Sequence, residues 1–287
     1  MSVKSILVPL DGTDASFAVL DTALIVANRF NAKIKGIHIR PKSGDLPYEL
    51  DYVSENLKRK VVDETKKIGK EHARALRDQF IEYCEKHGIR FGESLSDDEV
   101  RAVFREETGS VAEVLIRHGR FCDVIAAARP ARRKGILLRS PVGERMESLL
   151  MRVGRPILMV PPDWNPHKVG RTAFAWNESL EASRALAMAL PWLTQMEDVS
   201  VIMSHKRNAS LPELTEYLAL YGVKLKVHYL PKKTKSVGRA ILDCCAENSV
   251  EMLVVGGFSH ARSRELVFGG VTQYLLVHSN VVTLMVH

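Results

Sequence analysis

The sequence predicts an α/β fold built from two tandem doubly wound domains, each a five-stranded parallel sheet with helices on both faces. Three observations lead to this prediction. Short runs of Val, Ile and Leu without strict alternation are typical of strands that are covered on both faces. Amphipathic helical patterns separate these runs, as parallel strands require. The series of elements also occurs twice along the chain.

The internal repeat consists of four landmarks that recur in the same order. The matched stretches are SILVPLDG with RTAFAWNES, SVAEVLI with SVGRAIL, DVIAAA with EMLVVG, and RPILMVP with VVTLMVH. The stretch PPDWNPHKVG (161–170) between the two series is rich in Pro and polar residues, which is typical of a linker. We therefore predict domains at residues 1–163 and 170–287.

The strands of each domain are placed at the apolar runs. In the first domain they are expected near Val3 to Leu10, Lys33 to Ile39, Val100 to Arg105, Cys122 to Ala128 and Pro156 to Val160. In the second domain they are expected near Arg171 to Trp176, Val199 to Ser204, Val223 to Leu230, Glu251 to Val255 and Val281 to Val286. The loops after the strands matter most for function, because ligands of such sheets bind beyond the carboxyl ends of the strands.

The two domains differ most in the crossover after their second strand. The first has a long helical pattern from about Glu49 to His87, ending at Gly88, and we expect it to pack on the partner domain. Its apolar positions are Val53, Leu57, Val61, Ile68, Leu76, Phe80 and Tyr83. The second has only a short helix, with Ser210 as the expected N-cap and Gly222 as its end.

Composition restricts the class of protein. The net charge of +7 arises from 41 basic and 34 acidic residues, and this positive charge favours anionic ligands. The basic residues are spread out and are not interleaved with aromatic residues that could stack on bases, so nucleic acid is not expected as a ligand. No apolar run reaches the roughly 20 residues of a membrane span, and the N-terminus does not resemble a signal peptide, so we expect a cytoplasmic protein without membrane contact. The four cysteines lack metal-site or disulfide spacing and are predicted to be free thiols in the core.

The most informative stretch is VVGGFSHARSRELVFGGVT (254–272), which follows the fourth strand of the second domain. Glycines allow the backbone to approach an anion and to turn amides towards it, and the helix expected from about Val271 adds an N-terminal end. Side chains of Ser259, His260 and Thr272 supply further donors. The alternative is that Gly256 and Gly257 only permit a strand exit, and that Gly269 and Gly270 only permit a helix start.

The chain resembles a tandem universal stress protein, and the resemblance extends over both repeats. Nucleotide-binding members of that family carry G-x2-G-x9-G-[S/T] between the fourth strand and the last helix. Here Gly256, Ser259, Gly269 and Gly270 occupy those positions, so a Ser replaces the second Gly and a Gly replaces the hydroxyl residue. The resemblance implies a Rossmann-like fold of the adenine nucleotide alpha hydrolase-like type.

The resemblance also implies a site and its ligand. It implies that ATP or another adenine nucleotide binds the second domain, with or without Mg²⁺, in a regulatory stress-response role. The residue after the first strand would face the adenine and ribose, a position held by Asn177 in the second domain and Asp11 in the first. The predicted binding residues are Asn177, Gly256, Gly257, Ser259, His260, Gly269, Gly270, Val271 and Thr272.

The first domain departs further from the family pattern. Its loop AARPARRKGILLRSPVGERM replaces the first Gly by Ala128 and places Pro130 and Pro141 where backbone amides are needed. Only Asp11, Gly12 and Thr13 keep the end of the first strand intact. We therefore expect a degenerate site in this domain and at most one nucleotide per chain.

The sequence leaves three functional hypotheses open. No recognised hydrolase elbow, metalloprotease helix, P-loop lysine or C-x-x-C set is present, so no catalytic residue or metal ligand is assigned and at most slow ATP hydrolysis is expected. The first hypothesis is a nucleotide-binding regulator. The second is a scaffold that needs no cofactor and binds a protein or an apolar ligand, and the third is a nucleotide-dependent enzyme.

The resemblance also implies pairing through the last strand of each domain. One chain would then form an internal pseudo-dimer and could assemble further into a homodimer.

Overall fold

The structure is a computed structural model that describes residues 2–40, 55–97, 99, 101–129, 141–162, 164, 170–206, 209–257 and 270–287. For residues 55, 58 and 141–145 only the backbone is considered. Within these limits strands and helices alternate in each half of the chain, and two strands follow each other where the halves meet. The predicted residues Ser259, His260 and Gly269 lie outside the described residues, as does Val53 at the start of the predicted long helix.

The first half of the molecule contains five strands and four helices in strict alternation. In chain order they are β1 (Ser5–Pro9), α1 (Asp14–Phe30), β2 (Lys33–Arg40), α2 (Glu55–Lys86), β3 (Ala102–Thr108), α3 (Val111–Gly119), β4 (Val124–Ala128), α4 (Pro141–Val153) and β5 (Ile157–Val160).

The second half repeats the same series. In chain order it contains β6 (Arg171–Trp176), α5 (Leu180–Leu193), β7 (Asp198–Ser204), α6 (Leu211–Ala219), β8 (Leu225–Leu230), α7 (Val237–Glu247), β9 (Met252–Gly256), α8 (Gly270–His278) and β10 (Val282–Val286). The predicted repeat is therefore also a repeat of structure.

The strands form one ten-stranded sheet in the order β3-β2-β1-β4-β5-β10-β9-β6-β7-β8. Within each half all pairings are parallel. The strand order reverses between β1 and β4 in the first half and between β6 and β9 in the second. These two reversals are the switch points at which a doubly wound sheet forms a ligand crevice.

Helices cover both faces of the sheet and divide the core into two layers. One layer joins apolar side chains of α1, α2, α5 and α6 to the sheet. The other joins those of α3, α4, α7 and α8 to the opposite face. Because both faces are covered, strands such as β5 and β10 are buried at every position, which explains why they read as continuous apolar runs.

The two halves are joined through their last strands, as predicted. β10 pairs antiparallel with β5, and Thr283, Leu284 and Met285 lie opposite Met159, Leu158 and Ile157. The ring of Phe30 on α1 also meets Trp192 on α5 edge to face, with their centroids 5.0 Å apart. The pseudo-dimer is thus held by a sheet pairing and by an aromatic contact. The exact domain limits near residues 163 and 170 stay a prediction.

The long helix α2 differs from its expected packing. Leu76 and Phe80 are buried as predicted, but Leu57 and Ile68 are 50% and 58% exposed. The contacts of α2 are with its own half, where it packs on β2 and β3. The helical pattern was therefore right, whereas the prediction that its apolar positions reach the partner domain was wrong for these two residues.

The third strand also differs from the sequence prediction, since β3 covers Ala102–Thr108 rather than Val100–Arg105. Its last residues, Arg105 to Thr108, are polar and partly exposed, and pairing with β2 up to Arg40 holds them in the strand. Long-range pairing thus extends a strand through residues that no apolar pattern marks.

All four cysteines are free, as predicted. Cys84, Cys122 and Cys245 are buried, while Cys244 is partly accessible. Burial raises the pKa of the Cys84 and Cys245 thiols to about 12, so both are protonated at neutral pH.

In the part of the chain that the structure describes, no helix has the length and apolarity needed to cross a membrane.

Candidate functional site

The candidate site lies at the switch point of the second half, where β6 and β9 end. β6 and β9 are paired neighbours up to Phe174 and Val254, so their carboxyl ends leave the sheet side by side. Asn177 follows β6, and Gly256 and Gly257 close β9. Gly270, Val271 and Thr272 form the first turn of α8, and a Cβ placed on Gly257 would lie 3.8 Å from the Thr272 methyl group. The described part of the predicted set is therefore brought to one edge of the sheet.

Gly256 is required by packing between a strand and a helix. A Cβ at this position would lie 2.5 Å from the carbonyl carbon of Glu181 and 2.6 Å from the amide nitrogen of Ala182. Both are backbone atoms of the first turn of α5, which cannot give way as a flexible side chain can. The missing side chain of Gly256 thus makes room for α5, which is a structural role other than the strand exit that the sequence suggested.

Gly257 already has partners for both of its backbone groups. Its amide donates to the carbonyl of Val286 at 2.7 Å. Its carbonyl accepts from Nδ1 of His287 at 3.0 Å, which requires the proton on that ring nitrogen. The prediction that Gly257 contributes to binding therefore rests on its small size, because its amide is bonded within the sheet.

The first turn of α8 is the part of the site that the described residues leave open. None of them lies within 4 Å of a Cβ built on Gly270, and this residue is exposed. Thr272, by contrast, is only 4% exposed and lies under the turn. The first amides of any helix have no partner within the helix and carry the positive end of its dipole. An anion can therefore approach this turn over Gly270 without a steric barrier from that residue.

The loop after the first strand has the same geometry in both halves. In the first half, Oδ1 of Asp11 accepts from the Thr13 amide at 3.0 Å and from the Thr13 hydroxyl at 2.6 Å. In the second half, Oδ1 of Asn177 accepts from the Ser179 amide at 3.2 Å. The middle residue has a positive φ in each, +82° at Gly12 and +62° at Glu178. Asp11 and Asn177 thus each stabilise a tight turn that starts the following helix.

The charge of Asp11 gives this turn a pH dependence. Burial acts to raise the pKa of Asp11, but the hydrogen bonds from Thr13 outweigh it, so its pKa is below the usual value. A lowered carboxyl pKa stabilises the fold above the unfolded-state pKa of about 3.9, and this contribution is lost as the pH falls through the folded-state pKa.

Asp11→Asn should keep the turn, because Asn177 makes the same one, and should remove only the charge. We expect the variant to be less stable than the parent at neutral pH by under about 1 kcal/mol, since Asp11 is exposed. Urea unfolding at pH 7 and at pH 3 measures this difference. The stability difference between the parent and the variant should shrink at pH 3. A difference that is equal at both pH values would contradict the lowered pKa of Asp11.

A hydrogen-bonded chain that the sequence did not reveal fixes the second-half loop. Nε1 of Trp176 donates to Oγ of Ser210 at 2.9 Å, and that hydroxyl donates to Oε1 of Glu178 at 2.9 Å. Ser210 stands at the start of α6 as predicted, but its side chain does not cap the helix. Glu178 holds a backbone conformation that favours glycine, and the bond to Ser210 compensates for it. The chain ties the loop after β6 to the start of α6.

An aromatic pair borders the same edge of the sheet. The rings of His205, after β7, and Tyr229, in β8, are stacked with centroids 4.3 Å apart and an interplanar angle of 10°. The stack with Tyr229 could not be predicted, because it depends on the register of β8 against β7.

The corresponding edge of the first half is covered by α2. A Cβ on Gly12 would lie 3.2 Å from Nε2 of His72, which projects from that helix. The His72 ring also lies edge to face with that of His38, with centroids 5.3 Å apart, and Nδ1 of His38 is 2.9 Å from the Leu10 carbonyl oxygen. Arg129, at the end of β4, donates to the carbonyl of Val277 in the second half.

No group of metal-ligating side chains occurs among the residues that the structure describes. The glutamates at this end of the second half have other partners or positions: Glu178 binds Ser210, and Glu181 lies in the first turn of α5.

Comparison of structures identifies the fold. No family model matches the sequence, and no curated protein is similar to it at a significant level. The structure is similar over its whole length to a universal stress protein from Archaeoglobus fulgidus DSM 4304, with a TM-score of 0.69, 17% identity, and coverage of 98% of this chain and 97% of that one. The chain has the tandem universal stress protein fold.

A second solved structure gives the same architecture. A functionally unknown protein from Pseudomonas aeruginosa PAO1 is similar with a TM-score of 0.62 and 14% identity, covering 99% of this chain and 92% of that one. At such low identities the similarity concerns the fold alone. It confirms, for the architecture, the universal stress protein resemblance that the repeated landmarks indicated, and it leaves the ligand of the switch-point crevice to be argued from this chain's own residues.

Proposed function

We propose that this chain is a tandem universal stress protein whose second half binds one adenine nucleotide and acts as a regulator rather than as a fast catalyst. The observation that carries the proposal is the convergence of the β6 end, the β9 end and the first turn of α8 at a switch point. A doubly wound sheet offers its ligand crevice at this place. A helix start with open space beside it favours a phosphate there.

The described residues fit an adenine nucleotide in part. The amides of the first turn of α8 would hold phosphate oxygens, together with the predicted donors Ser259 and His260. Asn177 would face the adenine and ribose from a turn that is already fixed by Ser179. The bound phosphates would supply negative charge for the helix end to stabilise. No described residue is assigned as the base that would activate a water molecule.

The two halves are expected to differ in binding. In the first half, α2 places His72 against Gly12. In the second half the corresponding helix α6 is short, with only nine residues. Together with Pro130 and Pro141 in the first-half loop, this packing supports one nucleotide per chain, bound in the second half.

The test compares Asn177→Ala with Asp11→Ala as matched variants. Both remove the side chain that stabilises the turn after a first strand, so both should lower stability to a similar degree. Loss of one hydrogen bond to the ligand is expected to weaken ADP binding by about three- to tenfold in Asn177→Ala alone. Calorimetric titration with ADP should give one site per chain. Equal affinities in the two variants would contradict the second-half assignment.

The scaffold hypothesis stays the second candidate, because specific contacts favour it. Gly256 is explained by α5, and the amide of Gly257 is bonded to Val286. A ligand that prefers the folded state must raise the melting temperature. A folded full-length sample whose melting temperature does not respond to millimolar ATP or ADP would favour the scaffold. The cytoplasmic location and any homodimer remain predictions from the sequence.

A further inference from the structure

A second cleft lies in the first half, where β4, β5 and β10 separate it in the sheet from the proposed nucleotide site. It has a volume of about 640 Å³ and opens at the amino ends of β1 and β2. Its lining includes Lys4, Ser5, Lys33, Arg101 and Phe121. A volume of this size is within the range of about 300–1,000 Å³ that is typical of small-molecule sites. The cleft belongs to the first half only.

The cations of this cleft are bonded to neutral groups. Nζ of Lys33 donates to the carbonyls of Leu95 and Asp97, each at 2.7 Å. The guanidinium of Arg101 donates to the side chain of Asn31 and to the carbonyl of Ala32. Its Nε is buried and has no acceptor among the described residues. Both side chains are therefore held in place, and neither forms an ion pair with a described residue.

The described carboxylates near the cleft already have partners. Oδ2 of Asp123 accepts from the amide of Lys4 at 2.8 Å, from the amide of Ser5 at 2.9 Å and from the Ser5 hydroxyl at 3.1 Å. The Asp97 side chain accepts from the amide of Glu99, and Glu99 pairs with Arg90. Among the described residues, Lys4, Lys33 and Arg101 therefore form no ion pair with a carboxylate.

The second half is an internal control for this corner of the fold. Glu251 accepts from the amides of Gly170 and Arg171, as Asp123 does at the start of β1. The register that places Lys33 opposite Ser5 places Asp198 opposite Arg171. Asp198 binds Lys226 at 2.7 Å, so the charge is compensated there. Both halves therefore have a carboxylate, Asp123 or Glu251, that binds the amides at the start of the first strand. The unpaired cations of the first half are not needed for this feature of the fold.

Phe121 adds an apolar surface to the cationic cleft. It is 83% exposed, the largest exposed fraction among the large hydrophobic side chains described. It stands two residues before Asp123, where the second half has Ser249 two residues before Glu251. A single exposed aromatic residue is common on protein surfaces. Here its position at the lip of the cleft gives a flat ligand a ring to pack against.

We infer that this cleft binds a small phosphorylated molecule that carries a flat apolar ring. The phosphate lies between Lys33 and Arg101, which supply charge-assisted hydrogen bonds. Lys4 adds charge at the entrance, and the ring of the ligand packs on Phe121. The site is separate from the proposed nucleotide crevice, since β4, β5 and β10 lie between β1 and β9 in the sheet.

The test uses the full chain and two probes, phenyl phosphate and inorganic phosphate, in calorimetric titrations at low salt. Phenyl phosphate is expected to bind several-fold more tightly than inorganic phosphate. Phe121→Ser, which introduces the second-half residue, should abolish that difference and leave the affinity for inorganic phosphate unchanged. Arg101→Gln should weaken both probes by about tenfold or more.

Three variants serve as controls. Lys4→Gln distinguishes an effect on binding from an effect on folding, and Lys226→Gln and Asn177→Ala distinguish this cleft from the second half and its nucleotide crevice. Lys4→Gln changes an exposed side chain whose backbone amide alone binds Asp123, so it should weaken both probes without lowering the melting temperature. Lys226→Gln in the second half and Asn177→Ala at the nucleotide crevice should leave both probes unaffected. Absence of phenyl phosphate binding at millimolar concentration, or binding that Asn177→Ala removes and Phe121→Ser does not, would overturn the inference. Failure of ADP to bind would not affect it.

Discussion

Gly256→Ala is expected to lower the free energy of unfolding by about 3 kcal/mol, because the new methyl group has no space that side-chain movement can create. The Cβ would lie within 2.7 Å of backbone atoms of Glu181 and Ala182. Relief requires α5 to shift away from β9, and that helix packs closely on β9 and β10. Urea unfolding of the full chain measures the effect.

Gly257→Ala is the matched control, one residue further along. Its Cβ would lie 3.6 Å from the Val286 carbonyl oxygen and 3.8 Å from the Thr272 methyl group, which are ordinary contacts. We expect a change in stability within about 1 kcal/mol. If phosphates approach Gly257 closely, the same variant should weaken ADP binding although it folds normally. Equal stability of the two variants would show that α5 does not press on β9 as described.

Truncation after Val169 should have the second large effect, because it removes the partner of β5. All four residues of β5 are buried, and β10 covers one edge of the strand. The fragment would expose a short apolar edge, which is prone to pair with other chains. It would also lose the contact between Phe30 and Trp192.

We expect the fragment to self-associate or to aggregate, whereas the full chain stays at a defined mass. Light scattering after gel filtration distinguishes these results. A well-behaved monomer of the fragment would mean that the first half does not depend on the antiparallel pairing for its solubility.

Trp192→Ala in the full chain complements this test, since loss of a buried Trp typically lowers the free energy of unfolding by about 3–5 kcal/mol.

The sequence predicted the architecture well, because the architecture depends on repeated local patterns. Buried strands such as β5 and β10 read as apolar runs, and the family resemblance implied that they would pair. The long helix was also visible, since its periodicity is local. The packing of this helix could not be predicted from its periodicity. Leu57 and Ile68 have the spacing of a buried helix face, but the structure leaves them exposed.

The site was predictable only where a residue type by itself imposes a geometry. Asp11 and Asn177 form the turns that their side chains favour. The role of Gly256 depends on how closely α5 approaches β9, which no spacing of residues in the sequence expresses. The chain from Trp176 through Ser210 to Glu178 joins two loops, and the cationic cleft joins the starts of several strands. Such features arise from topology and register, so they appear only in the folded molecule.

The central claim is that a nucleotide binds where β6, β9 and α8 meet, and amide spectra recorded during titration with ADP test it most directly. The account predicts that the largest shifts of the assigned amide signals occur at Gly270, Val271, Thr272 and Asn177. The equivalent turn at Asp11, Gly12 and Thr13 should not move. Shifts centred on the first-half turn, or no saturable shift in the first turn of α8, would contradict it.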